Sequence, residues 1–186
     1  MIDSDVLVPQ KAFLTRGIGR HKEMLTSYEL ALRDASIAQY NLVTVSSIFP
    51  AHCKLVPRAR GEKALRPGQI VFVVQARSQT NEPSRLATAS IGLAIPKDPN
   101  HYGYVSEHHG FGMPRGQAGD YAEDLAASML ATVLGVPFDP DEAWDERREQ
   151  WKVSGEIVKT TNISCTARAA TDGKWVTVVS LLVFCG

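Results

Sequence analysis

Two adjacent serines, Ser46 and Ser47, interrupt the β-branched run from Asn41 to Phe49. Hydroxyls in a buried strand cost stability unless they are hydrogen-bonded. Each serine therefore either bonds a nearby backbone group or is kept for chemistry. Glu29 poses a similar choice. At helical spacing it falls on the edge of a stripe made by Leu25, Leu32 and Ser36. A carboxylate there is paired, hydrogen-bonded or waiting for a cationic ligand. Its ordinary partner is Arg33, one turn later, and an exposed pair of that kind is worth only ~0.3–0.5 kcal/mol. Glu107 lies beside His108 and His109 between Gly103 and Gly110, which reads as a loop or strand end carrying an acid/base group. His101, His108 and His109 also raise a metal reading. Adjacent histidines on a regular strand cannot readily ligate one ion, and no HExxH spacing is present, so no metal site is assigned.

The elements that must position these groups follow from periodicity. Leu25, Tyr28, Leu32 and Ala35 form a stripe that predicts a helix over about 22–35. The segment before it, with Gly17-Ile18-Gly19, reads as a short lead. Residues 41–49 read as one strand stopped by Pro50. Strands are predicted at about 69–76 and 86–95, the second rich in small residues that admit close packing of another layer. A second helix is predicted over about 118–134, with Tyr121, Leu125, Met129 and Val133 as its stripe and Gly135 as its stop. Residues 141–151 suggest a short solvated helix. Two final strands, 156–167 and 175–184, read as a hairpin through Asp172-Gly173. Strands grouped around two long helices favour an α+β sandwich with helices covering sheets. No repeat or linker divides the 186 residues, so one domain over 1–186 is expected.

Composition narrows the class. Twenty basic residues balance twenty acidic ones, so charge points to neither nucleic acid nor an anionic membrane. Arg147–Arg148 and the group Arg58, Arg60, Lys63 read as solvated surface. The N-terminal ten residues are acidic and lack the basic region and apolar core of a signal peptide. No apolar run reaches membrane-spanning length. Cys53, Cys165 and Cys185 are odd in number and widely spaced, which suits buried thiols in a reducing cytoplasm.

Several segments together resemble one family. Glu29 to Ala35, Asn41 to Pro50, Ala94 to Pro99, Ser106 to His109 and Ala118 to Gly135 closely resemble pyruvoyl-dependent arginine decarboxylases. The run from Asn41 through Ser46-Ser47-Ile48 is the specific part; the helices alone would identify nothing. The resemblance implies a four-layer αββα sandwich, self-processed into a β chain (1–46) and an α chain (47–186). The Ser47 hydroxyl would attack the carbonyl of Ser46, and the chain would part between them. Ser47 would become a covalently bound pyruvoyl group, while Ser46 becomes a new C-terminus near the substrate. The ketone of that group would capture the α-amine of arginine and draw electrons as carbon dioxide leaves.

The same resemblance assigns the other site residues. Glu107 matches the proton donor, for which burial would have to keep it protonated near neutral pH. Glu29 matches the acid that meets the guanidinium, and Asn41 a hydrogen-bond donor near the pyruvoyl and the scissile carbonyl. Asn41 and Ser47 share strand parity, yet six extended residues would hold them ~20 Å apart. Either the strand bends sharply or Asn41 serves a neighbouring subunit. The second option agrees with the homotrimers, possibly paired into dimers of trimers, that the resemblance implies. Two rival readings are a related decarboxylase for another amino acid and an unprocessed, non-catalytic binding protein.

Overall fold

Among the described residues, nine strands form two sheets and three helices pack on them. The computed structural model describes residues 7–135 and 157–186. The expected solvated helix at 141–151, the Arg147–Arg148 pair and Glu156 lie outside the described residues. Strands β1 (Lys11–His21), β2 (Asn41–Thr44), β4 (Lys54–Leu55), β5 (Ile70–Thr80) and β9 (Trp175–Cys185) form a five-stranded sheet ordered β2-β5-β9-β1-β4. Strands β3 (Ile48–Phe49), β6 (Leu86–Pro96), β7 (Gly103–Phe111) and β8 (Ile157–Arg168) form a second, ordered β3-β7-β6-β8. The helices are α1 (Met24–Asp34), α2 (Arg58–Glu62) and α3 (Arg115–Val133). The described chain is thus mixed α+β and mostly strand.

Between the sheets lies a core containing Phe49, Val74, Ile91, Leu93, Val178 and Leu182. On its other face the five-stranded sheet packs Phe13, Val73, Val179 and Leu181 against Ala31 and Ala35 of the α1 region. The four-stranded sheet meets α3 through Ala94, with Ala126, Ala127 and Leu130 opposite. β9 is buried at every residue after Trp175 because its two faces serve two of these cores.

Strand β1 corrects the expected short lead. A side chain at Gly17 would place a Cβ 2.1 Å from the Ala31 carbonyl oxygen, and one at Gly19 only 1.9 Å from that of Ser27. Those glycines let the α1 backbone lie directly on the strand, so a composition that looks like a turn is a packing device. The buried face of α1 accordingly carries Ser27 and Ala31, and Leu25 is 76% exposed. The Ser27 and Thr177 hydroxyls hydrogen-bond at 2.6 Å beneath the helix. The second helix is corrected in the same sense. Ala118, Ala122, Ala126 and Leu130 are buried, whereas Tyr121 and Val133 are exposed. Close approach to a sheet selects the small face of the helix over the bulky one.

Two expected connections also change. Residues 41–49 are not one strand: β2 pairs in parallel with β5, and β3 pairs antiparallel with β7 in the other sheet. The expected hairpin at Asp172-Gly173 is absent as a pairing. β8 runs against β6, while β9 lies between β1 and β5. The extents of β6 and β9 are readable from the sequence, but partner choice is set by which apolar layer can cover each strand. Residues 54–55, to which no element was assigned, and 58–62, where Arg58 and Arg60 read as solvated surface, contribute β4 and α2. Arg58 is half-buried there, pairing with Glu62 at 2.5 Å and donating to the Ser36 hydroxyl.

Candidate active site at the rim of the sandwich

Val45, Ser46 and Ser47 carry the chain from one sheet to the other in three residues. The Val45 amide donates to the Val73 carbonyl in the five-stranded sheet at 2.9 Å. The Ser47 carbonyl accepts from the Val105 amide in the four-stranded sheet at 2.7 Å. The Ser46–Ser47 peptide bond therefore spans the rim between two anchored points. Ser46 is exposed and Ser47 half-buried, which corrects the picture of two serines within a buried strand. Beside them opens a cleft of about 210 Å³, lined by Val45, Ser46, Ile48, Pro50, Phe72 and Phe184 among others. Its walls are largely apolar, so a polar reactant there would be oriented by few groups.

Glu107 reaches this neighbourhood along β7. The Gly103–Gly110 stretch is a paired strand rather than a loop, running antiparallel to β6. Val105 is buried between the sheets, and alternation puts Glu107 on the same side, ~7 Å further along. The residue whose amide holds the Ser47 carbonyl is thus two positions from Glu107. Ser106 and His108 face the other way: the Ser106 hydroxyl donates to the Ala122 carbonyl, and the His108 ring meets Tyr121 edge-on at 4.9 Å. Burial, and then the neighbouring His109, pushes the His108 imidazole below its ordinary range. His109 is exposed, and His101 sits in the β6–β7 loop with Nδ1 2.8 Å from the Tyr102 carbonyl.

The remaining expected residues are not brought to Ser47 within one chain. Asn41 is exposed on β2, where Nδ2 donates to the Gly68 carbonyl at 2.8 Å. The straight strand that set its ~20 Å separation from Ser47 does not exist, since the chain changes sheets between them. Glu29 lies on α1, on the outer face of the five-stranded sheet, whereas Glu107 projects from the other sheet towards the space between them. Its carboxylate meets Arg33 Nε at 2.5 Å, with the two side chains 41% and 68% exposed. Within a single chain Glu29 takes the ordinary ion pair, worth at most ~1 kcal/mol. Glu107 is exposed too, so one chain alone does not supply the burial that its expected role requires.

Sequence reasoning missed two contributions. Val105 acts through its backbone, which no residue type announces. Tyr28, the neighbour of Glu29, donates to Gln75 Oε1 at 3.0 Å and lies beneath the Arg77 guanidinium, 4.5 Å from the ring centroid. The period-two pattern of β5 places Gln75 and Arg77 on the α1 face, whereas the strand predicted from sequence stops at 76.

Comparison with known proteins decides the family. The family model described as pyruvoyl-dependent arginine decarboxylase matches residues 11–186. This chain belongs to that family. The pyruvoyl-dependent arginine decarboxylase of Nitrosopumilus maritimus is 56% identical over 177 residues, covering 95% of this chain and 97% of its own. Pyruvoyl-dependent arginine decarboxylase 2 of Methanosarcina mazei is 56% identical over 178 residues, or 96% and 97% of the two chains. A probable pyruvoyl-dependent arginine decarboxylase of Chlorobium luteolum is 57% identical over 176 residues, or 95% and 97%. Membership in this decarboxylase family implies a covalently bound pyruvoyl group. The rim fits such a group. A serine stands outside strand pairing, its own carbonyl is held by Val105, and the residue before it faces an open cleft.

Proposed function

We propose that the chain cuts itself between Ser46 and Ser47 and then decarboxylates L-arginine to agmatine and carbon dioxide. The observation that carries the reading is the Ser46–Ser47 link itself: three residues without strand pairing, tethered at both ends, with Glu107 two positions from one tether. In the processing step the Ser47 hydroxyl oxygen bonds to the Ser46 carbonyl carbon as the peptide C–N bond breaks, giving an ester and a free amine. Elimination then breaks the Ser47 Cβ–O bond, releasing residues 1–46 with a Ser46 carboxylate. Water converts the dehydroalanine left at 47 into a pyruvoyl group, with loss of ammonia. The products are a β chain of 1–46 and an α chain of 47–186 from a single domain.

Once formed, the pyruvoyl group supplies a ketone that holds the substrate amine and accepts the electron pair left by carbon dioxide. The side chains of this chain do the rest. Glu107 returns a proton to the α-carbon, and Glu29 receives the guanidinium in a bidentate contact. Releasing Arg33 for that purpose costs little, since the exposed pair is worth at most ~1 kcal/mol. Asn41 directs its amide at the scissile carbonyl or the ketone. The separation of Glu29 and Glu107 by a sheet, and the exposure of both, support a site completed by a second copy. A homotrimer with active sites between subunits, working in the cytoplasm, satisfies that need.

The substrate assignment is tested by supplying arginine, lysine, ornithine and histidine to the purified protein. The proposal expects carbon dioxide release from arginine foremost. Equal or faster release from another amino acid, or none from any, overturns it.

A further inference from the structure

We propose that a second cleft, on the other side of β3 from the serines, binds a small multivalent oxyanion of the phosphate class. It has a volume of about 400 Å³ and shares Pro50 with the cleft beside Ser46. His52, Lys54, Lys97 and His101 all line it. Neither lysine has an ion-pair partner among the described residues. The single acid in the wall, Asp98, subtracts one charge, but its Oδ1 accepts from the Asn100 amide at 2.9 Å and from Asn100 Nδ2 at 3.0 Å. Its carboxylate is turned to its own loop.

The cleft is held together by backbone rather than assembled from loose side chains. His52 adopts a left-handed φ of 62°, uncommon for a residue with a side chain. In that conformation its amide donates to the Pro99 carbonyl at 3.1 Å, tying the turn after β3 to the β6–β7 loop. The Lys54 amide donates to the Gln10 carbonyl at 3.0 Å, closing the third side. His101 Nδ1 is 2.8 Å from the Tyr102 carbonyl and so carries a proton; Nε2 of the neutral ring is then an acceptor, so the two lysines carry the attraction for an anion. Two ammonium groups around one concavity outnumber what a monovalent carboxylate requires, whereas a dianion satisfies both together.

The test uses the purified protein, titrated with inorganic phosphate and, separately, with glycerol phosphate, against chloride at matched ionic strength. The expected result is saturable binding of one anion per chain, weakened at least tenfold in the Lys54→Ala/Lys97→Ala double variant. Whichever probe binds more tightly tells free phosphate from a phosphate ester. On the wild-type protein, hydrogen exchange should slow on binding in peptides covering residues 48–55 and 96–104, a readout that needs no variant to fold. No saturable binding of either anion, affinity unchanged in the double variant, or protection confined to other segments overturns the proposal. It does not depend on the substrate or on the self-cleavage, so its failure leaves both standing.

Discussion

The described chain crosses between its two sheets four times, after β2, β3, β5 and β8, and the first and last of these crossings are built differently. The last, between Arg168 and Trp175, uses six residues with ordinary turn chemistry. Gly173 has φ +73°, and the Lys174 amide donates to Asp172 Oδ1 at 3.1 Å. The first has three residues, Val45 to Ser47, with no glycine and no positive φ. It is tied at one end to Val73 and at the other to Val105. A relaxed turn can join two sheets wherever the core demands it. A short tethered link holds one peptide bond in one place, which is what an intramolecular attack on that bond requires.

Changes at the first crossing should therefore alter chemistry, and changes at the last only stability. The largest effect is expected for Glu107→Gln, which should cleave normally yet lose ~100-fold or more in kcat, by analogy with other general acids. Steady-state rates on the processed variant check it. Two glycines inserted between Val45 and Ser46 should slow self-cleavage by roughly 100-fold, because relaxing the link misplaces the attacking hydroxyl. The rate is read by electrophoresis after a block of synthesis. Glu29→Gln should raise KM for arginine while changing stability by less than ~1 kcal/mol, since its pair with Arg33 is exposed. Thermal melts beside kinetics separate those two effects. Gly173→Ala should cost ~1 kcal/mol or more by forcing an alanine to φ +73°, and should leave cleavage untouched.

The smallest effect concerns pH and compares β7 with its solvent. The imidazole of His108 is held below its ordinary range, so the unfolded chain binds more protons as pH falls through about 6.5. Stability should decline from that point and level off once the folded protein is protonated as well. Denaturation midpoints from pH 7.5 downward should show the slope in the parent and a shallower one in His108→Phe.

Much of the fold was legible because alternation and helical spacing report local structure directly. Strand β6, the long helices and the extent of β9 follow from that pattern. Partner choice does not, and so residues 41–49 looked like one strand and Asp172-Gly173 like a hairpin. In both cases the deciding fact is which layer covers each strand. Strand β1 stayed hidden because Gly17 and Gly19 serve the approach of α1 rather than a turn. At the site, Ser46, Ser47 and Glu107 were recognisable by residue type and come near one another around Val105. Asn41 and Glu29 were recognisable only through the resemblance, and a single chain keeps them with Gly68 and Arg33.

The central claim is that the tethered link at Ser46–Ser47 cuts itself to make the cofactor. A denaturing mass spectrum of the purified protein tests it most directly. Cleavage predicts two fragments of about 5 and about 15 kDa, in proportion to 46 and 140 of the 186 residues in a 20.3 kDa chain. The heavier should be lighter by one ammonia than a chain beginning with serine, and Ser47→Ala should give neither. A single intact 20.3 kDa species after prolonged incubation of the unaltered protein would contradict the account.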